Sequence, residues 1–216
     1  MSESPVFASK WDFLAATVLF GVRAGTNELL LGSEPTGPVW VCWTDPLLAE
    51  HQLPPGYVLN QGRVSVLLPL LPDGVSVRID PGRPSGMQLD PGYRAELVAL
   101  CLPFPAGHAV DLGPIECPAS CADALRTVAR DRAFVDRIWF FRYRIEDGPP
   151  QGCLAVEGPQ GPEAWEAALD DLTAALDRTL ADSDLARALA DVHVLPVDGL
   201  PSEVRAWLRE RPPVAP

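Results

Sequence analysis

Of the 17 basic residues in this chain only Lys10 is a lysine, and histidine occurs three times, at His51, His108 and His193. So few imidazoles starve the general-base and triad schemes that lean on them. The lysine shortage, set beside abundant alanine and proline, reads as the coding bias of a GC-rich genome. That bias accounts for much of the arginine, aspartate and proline excess without a functional cause. Gly-rich phosphate loops of the nucleoside-triphosphate and dinucleotide types are missing. A strand–Gly-x-Ser-x-Gly–helix elbow is missing too. No apolar run reaches the ~18–20 residues of a spanning helix. The longest early stretch, Phe13 to Val22, has core-strand or signal-core length. The leader before it sets Glu3 and Asp12 against Lys10, and no small-x-small cleavage site follows, so the stretch reads as buried structure.

Five cysteines, an odd number, are scattered at Cys42, Cys101, Cys117, Cys121 and Cys153. Without an export signal, thiols are expected to stay reduced and to behave as small buried hydrophobes. Cys117-Pro118-Ala119-Ser120-Cys121, with Cys101 and His108 upstream, has a Cys-x3-Cys spacing that zinc accepts, but no second tight ligand pair accompanies it. We therefore read two small residues at a helix start, with no metal and no cofactor, and a Cys117–Cys121 disulfide only under oxidation.

Net charge is −12, with acid in excess in both halves. An acidic chain repels phosphate backbones, which argues against general nucleic-acid binding. His193, in Val192-His193-Val194-Leu195, reads as a strand residue with Asp191 as its acidic neighbour. Glu166 and Asp170 share a helix face and read as an exposed acidic stripe rather than an acid–base pair.

The spacing predicts two lobes: residues 1–105, a linker over 106–118 that lacks periodicity, and residues 119–216. In the first lobe we expect a short helix over Trp11 to Ala16, then strands over Thr17 to Arg23, Glu28 to Gly32 and Pro38 to Trp43. Asp45 or Thr44 caps a helix from Pro46 to Glu50, and Tyr57 to Leu59 extends briefly. Val64, Leu67, Leu68 and Leu71 have helical spacing, with Pro69 forcing a kink or an early stop. A strand over Val75 to Ile79 and a helix opening at Pro91 complete the lobe. The second lobe reads as helix (Ala119 to Ala129), strand (Asp136 to Ile145), strand (Cys153 to Glu157), long helix (Pro162 to Leu180), strand (Val192 to Val197) and a terminal helix with Val204, Trp207 and Leu208 inward. The fold class is α+β, each lobe a mixed or antiparallel sheet with helices packed on it.

Two pairs are candidates for contacting a partner. Arg142 and Arg144 project from one face of the Asp136–Ile145 strand and are suited to an anion or an acidic surface. The competing reading, for them and for Arg126, Arg130, Arg132 and Arg137, is pairing with surrounding carboxylates. Trp40 and Trp43 lie three apart, so a strand turns them to opposite faces. Either both are core, or one is exposed at an interface.

The stretch Leu67-Leu68-Pro69-Leu70-Leu71-Pro72-Asp73-Gly74-Val75-Ser76-Val77-Arg78-Ile79-Asp80-Pro81-Gly82 resembles the N-terminal domain of the SseB-like (enhanced serine sensitivity) family. That family shows an apolar segment, a strand, Asn-Pro-Gly and a following apolar element, a slot filled here by Met87-Gln88-Leu89. Asp80 stands where the family shows Asn, and both residues make the same turn. Trp43-Thr44-Asp45-Pro46 resembles the turn after the family's preceding strand, and the layout from about Ala122 is similar to its C-terminal domain. The resemblance implies a cytoplasmic interaction protein and supplies no catalytic residue. The expectation is thus a non-enzymatic module that binds another protein through the first lobe or the arginine-bearing sheet, with no membrane or nucleic-acid partner. The alternatives are an accessory or immunity-like protein neutralising a basic partner, and a small-ligand sensor.

Overall fold

The structure, a computed structural model, describes residues 7–26, 28–159, 161–180 and 183–216. Residues 1–6 of the expected frayed start, and Asn27 of the turn expected at 24–27, lie outside the described residues. The chain has the expected α+β character, with two sheets and helices packed on them. It divides into two units, 1–102 and 103–216.

In the first unit, α1 (Lys10–Ala15) is capped by the Ser9 hydroxyl, which accepts from the Asp12 N–H. It is followed by β1 (Thr17–Arg23), β2 (Leu31–Glu34) and β3 (Gly37–Trp43). Next, α2 (Pro46–Gln52) starts on the Asp45 carboxylate, which accepts from the Leu47 and Leu48 N–H groups, with Pro46 in its first turn. The chain continues through β4 (Tyr57–Arg63), α3 (Val64–Leu67), a 3-10 turn (Leu68–Leu70), β5 (Ser76–Ile79), β6 (Met87–Leu89) and α4 (Pro91–Cys101). The sheet order is β4-β1-β3-β5-β6 with β2 paired to β3, and β3 and β5 are parallel. Two expectations shift. The second strand begins at Leu31 rather than Glu28, because Leu29 makes only a bridge to Val22. The brief extension at Tyr57 is a full strand along β1. The early stop expected at Pro69 is present: the α-helix gives way to a 3-10 turn while Val64, Leu68 and Leu71 stay buried along its inner side.

The parallel β3–β5 pair is pinned where both strands end. Asp80 turns out of β5 with φ 47°, in the left-handed region that Asp tolerates better than most residues. Asp80 is 1% exposed. The Thr44 N–H donates to Oδ1 at 2.8 Å and the Thr44 hydroxyl donates to Oδ2. The Asp80 N–H donates to the Cys42 carbonyl at 3.0 Å. Around this brace Arg83 pairs with Asp45, and Gln52 accepts from the Trp43 indole N–H while donating to the Pro81 carbonyl, each at 2.9 Å. Gly86 permits the close return of the loop: a Cβ there would sit 2.6 Å from the Asp80 carbonyl oxygen.

In the second unit, residues 106–118 are not a bare linker. They carry β7 (Val110–Pro114), an edge strand paired to β8 (Arg137–Ile145). An edge strand tolerates the Gly113-Pro114 sequence that hid it, because one side of its backbone needs no ladder partner. Between them runs α5 (Ala119–Asp131), and after them come β9 (Gln151–Glu157), α6 (Pro162–Leu180), the unforeseen short α7 (Asp184–Ala188), β10 (Val192–Pro196) and α8 (Ser202–Arg209). The order is β10-β9-β8-β7, with β10 parallel to β9. Ile138, Phe140, Leu154 and Val156 bury one face against α5 and α6, including Leu125, Leu172 and Leu176. On the other face Phe141 meets Phe104 and Trp207, with ring centres 6.3 and 5.3 Å away. The chain end returns to β8: Ile138 bridges Ala215, its N–H donating to the Ala215 carbonyl at 3.0 Å.

Replacing Asp80 by Ala removes two acceptors from a buried site and places a left-handed conformation on a residue that resists it. The expected cost is about 2–4 kcal/mol. Asp80→Asn keeps the turn and one acceptor, so about 1 kcal/mol is expected. Urea unfolding of the full chain measures both, and equal stability of Asp80→Ala and the parent protein would refute the brace.

Candidate functional site

The helices α5 and α6 cover only the first half of β8's face. Beyond Phe140 the same face continues as Arg142 and Arg144, both exposed, because polar residues here alternate with buried Tyr143 and Ile145. Arg144 lies opposite Asp111 of β7 and is 3.4 Å from its carboxylate. Arg142 lies opposite Gly113, and its side chain crosses the space a Cβ would fill: that atom would be 2.7 Å from Arg142 Nε. The Arg142 guanidinium has no hydrogen-bond or ion-pair partner among the described residues. With Leu112 and Pro150 these groups line a cleft of about 270 Å³. One free guanidinium beside a charge-balanced pair can hold a carboxylate or phosphate oxygen, but it offers no nucleophile and no base.

The other arginines weighed with them are spent on carboxylates: Arg126 on Asp123, Arg130 on Asp131, Arg132 on Asp171 and Arg137 on Glu157. These pairs are exposed and contribute little to stability. The acidic stripe Glu163, Glu166, Asp170 and Asp177 on α6 is exposed.

The tryptophan pair is a correction. Trp40 is 0% and Trp43 1% exposed, so neither presents a ring to a partner. β3 lies inside its sheet, with β1 and β2 on one side and β5 on the other. Opposite faces of such a strand are both covered: Trp40 packs near Phe20 at 6.0 Å, and Trp43 reaches Gln52 at the end of α2. The Trp40 indole N–H has no hydrogen-bond partner among the described residues, a desolvation cost of about 1–3 kcal/mol that the ring's burial offsets.

On the far face of β8, three polar side chains meet. The Tyr143 hydroxyl donates to Gln151 Oε1 at 2.6 Å, and His193 Nε2 is 3.0 Å from the same oxygen. Burial pushes the Tyr143 phenol up, with Cys153 and Asp191 adding to the shift. Burial also pulls His193 down from its ordinary value of 6.5, against the raising effect of Asp191. Tyr143 and His193 thus stay neutral near pH 7 and serve as a hydrogen-bonded core network. His108 is committed to Glu146, with Nδ1 2.7 Å from Oε1.

All five thiols are free. Cys121 is buried in the first turn of α5 and shares a hydrogen bond with half-buried Cys117, which pulls Cys121 down and pushes Cys117 up. Burial pushes the Cys42 and Cys153 thiols up, and Cys101 up to about 11. No group of three or more His, Cys, Asp or Glu side chains that could hold a metal occurs among the described residues. No helix of the described residues is long and apolar enough to cross a membrane.

Sequence reading missed a second basic cleft, beneath α8, lined by Arg137, Arg205, Arg209 and Arg211. Arg205 and Arg209 have a legible four-residue spacing on α8, but the cleft forms only where the fold brings them against Arg137 of β8, which no local pattern announces. Comparison of the chain with protein-family models, curated proteins and solved structures returns no match.

The His193 environment sets a pH dependence. Below about 6.5 the unfolded chain takes up a proton that folded His193 resists, so stability is full above that pH and falls as pH drops toward the lower folded value. His193→Gln should flatten the slope of urea midpoint against pH between about 7 and 5.5. An unchanged slope would mean the imidazole is not desolvated.

Proposed function

We propose that this chain is a non-enzymatic, cytoplasmic, SseB-like module that docks another protein through its first unit. One observation carries the reading: a ridge of exposed apolar side chains on the α3 segment. Val66 and Leu70 are four apart on its outer side and are 58% and 69% exposed. They sit opposite buried Val64 and Leu68, so the segment is apolar on both sides. A helix packed by one face alone would carry polar residues outward. Every large hydrophobic exposed among the described residues, from Leu31 to Leu102, belongs to this unit. Apolar groups gathered on one unit of an acidic protein mark a contact surface more than scattered ones do. Further support comes from the free cysteines, which suit a reducing compartment, and from the Leu67–Gly82 segment that carries the family likeness.

Tagged full chain purified from its own cells, at low salt and at about 0.5 M salt, tests this beside a Val66→Asp/Leu70→Asp variant. The expected result is a specific partner retained at both salt levels and depleted about tenfold or more by the double substitution. A partner that survives the substitution but leaves in salt would place the contact on charge instead, the signature of a protein that neutralises a basic partner.

A further inference from the structure

Beneath α8 the second sheet opens into a cleft of about 340 Å³. Arg137 at the start of β8, Arg205 and Arg209 on α8, and Arg211 just beyond it all line this space. Two of the four are committed. Arg137 lies 3.4 Å from Glu157, its cross-strand neighbour. Arg211 stacks on Trp207 with its guanidinium 3.7 Å from the ring centre, donates to the Trp207 carbonyl at 2.7 Å, and lies 3.9 Å from Glu210. The guanidinium groups of Arg205 and Arg209 make no hydrogen bond or ion pair with any described residue. Being four apart on one helix, they project from the same side with Cβ atoms about 5–6 Å apart.

Like charges at that spacing repel, and nothing in the fold requires them there. The carboxylates lining the cleft are Glu157, already paired, and Asp198, which pairs with none of the four arginines. With Arg137 matched by Glu157 and Arg211 by Glu210, Arg205 and Arg209 against Asp198 leave one positive charge in the concavity of a chain whose net charge is −12. The remaining wall is apolar, made by Trp139, Val197, Leu208 and Pro213. The Trp139 indole N–H is already donated to the Arg211 carbonyl at 3.2 Å, so its ring is what remains for contact.

We propose that this cleft binds the phosphate monoester of a small organic molecule, with Arg205 and Arg209 on the phosphate oxygens and the apolar wall against the organic part. Two uncommitted guanidinium forks donate paired N–H groups to the oxygens of one phosphate, and the net positive charge around them favours an anion. The volume lies at the small end of ligand sites, room for a ring-sized group. A nucleic-acid strand would need a basic track continuing beyond the cleft, whereas the chain around it is acidic. This binding is independent of the docking ridge, which lies in the other unit.

Calorimetric titration of the full chain with phenyl phosphate, inorganic phosphate and phenol tests the site. Phenyl phosphate is expected to bind more tightly than inorganic phosphate, and phenol not to bind. Arg205→Gln/Arg209→Gln should weaken phenyl phosphate at least about tenfold, while Arg130→Gln, on the exposed side of α5, leaves it unchanged. Circular dichroism checks folding, and if the double variant does not fold, Arg209→Gln alone should weaken binding about threefold or more. Absence of binding at millimolar phenyl phosphate overturns the proposal, as does equal binding by a folded variant. Capture by phosphatidic-acid vesicles without a phenyl phosphate response would also overturn it, in favour of a membrane lipid.

Discussion

A carboxylate sealed from water persists only where hydrogen bonds replace its hydration, and Asp80 is built around that requirement. Its two oxygens take the backbone and hydroxyl protons of one residue, Thr44, across the ends of two parallel strands. Much of the first unit follows from this contact. Once Thr44 is fixed, Asp45 stands where it caps α2 and meets Arg83. The far end of α2 then delivers Gln52 to both Trp43 and the Pro81 carbonyl. A helix, two strand ends and a turn are held by one polar cluster, each member of which supplies a bond the next requires.

Among its described residues the second unit buries no carboxylate and is organised by apolar area. β8 is buried on both faces along Ile138 to Phe141, against α5 and α6 on one side and Phe104, Trp207 and α8 on the other. Its free polarity is pushed outward, to the far end of β8 and to the space beneath α8. The two units therefore offer opposite chemistry to solvent, an apolar ridge on one and unpaired guanidinium groups on the other. That division favours distinct roles over one shared surface.

What could be read in the sequence was what local pattern decides. The stripe of α6, the alternation of β8 at Arg142 to Ile145 and the interruption at Pro69 all follow from periodicity and one residue's geometry. β7 was hidden because Gly and Pro are signals of a loop, and only the neighbouring strand makes them an edge. The faces of Trp40 and Trp43 were read correctly as opposite, but a strand's own pattern does not say how many of its faces are covered. Arg142 was legible as an exposed cation, whereas its missing partner follows from a glycine in β7. The cleft beneath α8 depends on the chain turning back past Arg211, a tertiary fact with no local mark.

That return has a cost in vulnerability. β7 covers β8 only from Phe141 to Ile145, and the ladder position at Ile138 is closed by Ala215, far along the chain beyond α8. Were the Val214–Ala215 segment to lift away, it would uncover hydrogen-bonding groups beside the most hydrophobic strand, a template for unwanted strand pairing between molecules. That segment acts as a plug, and the protein's resistance to self-association is tied to keeping it seated on β8.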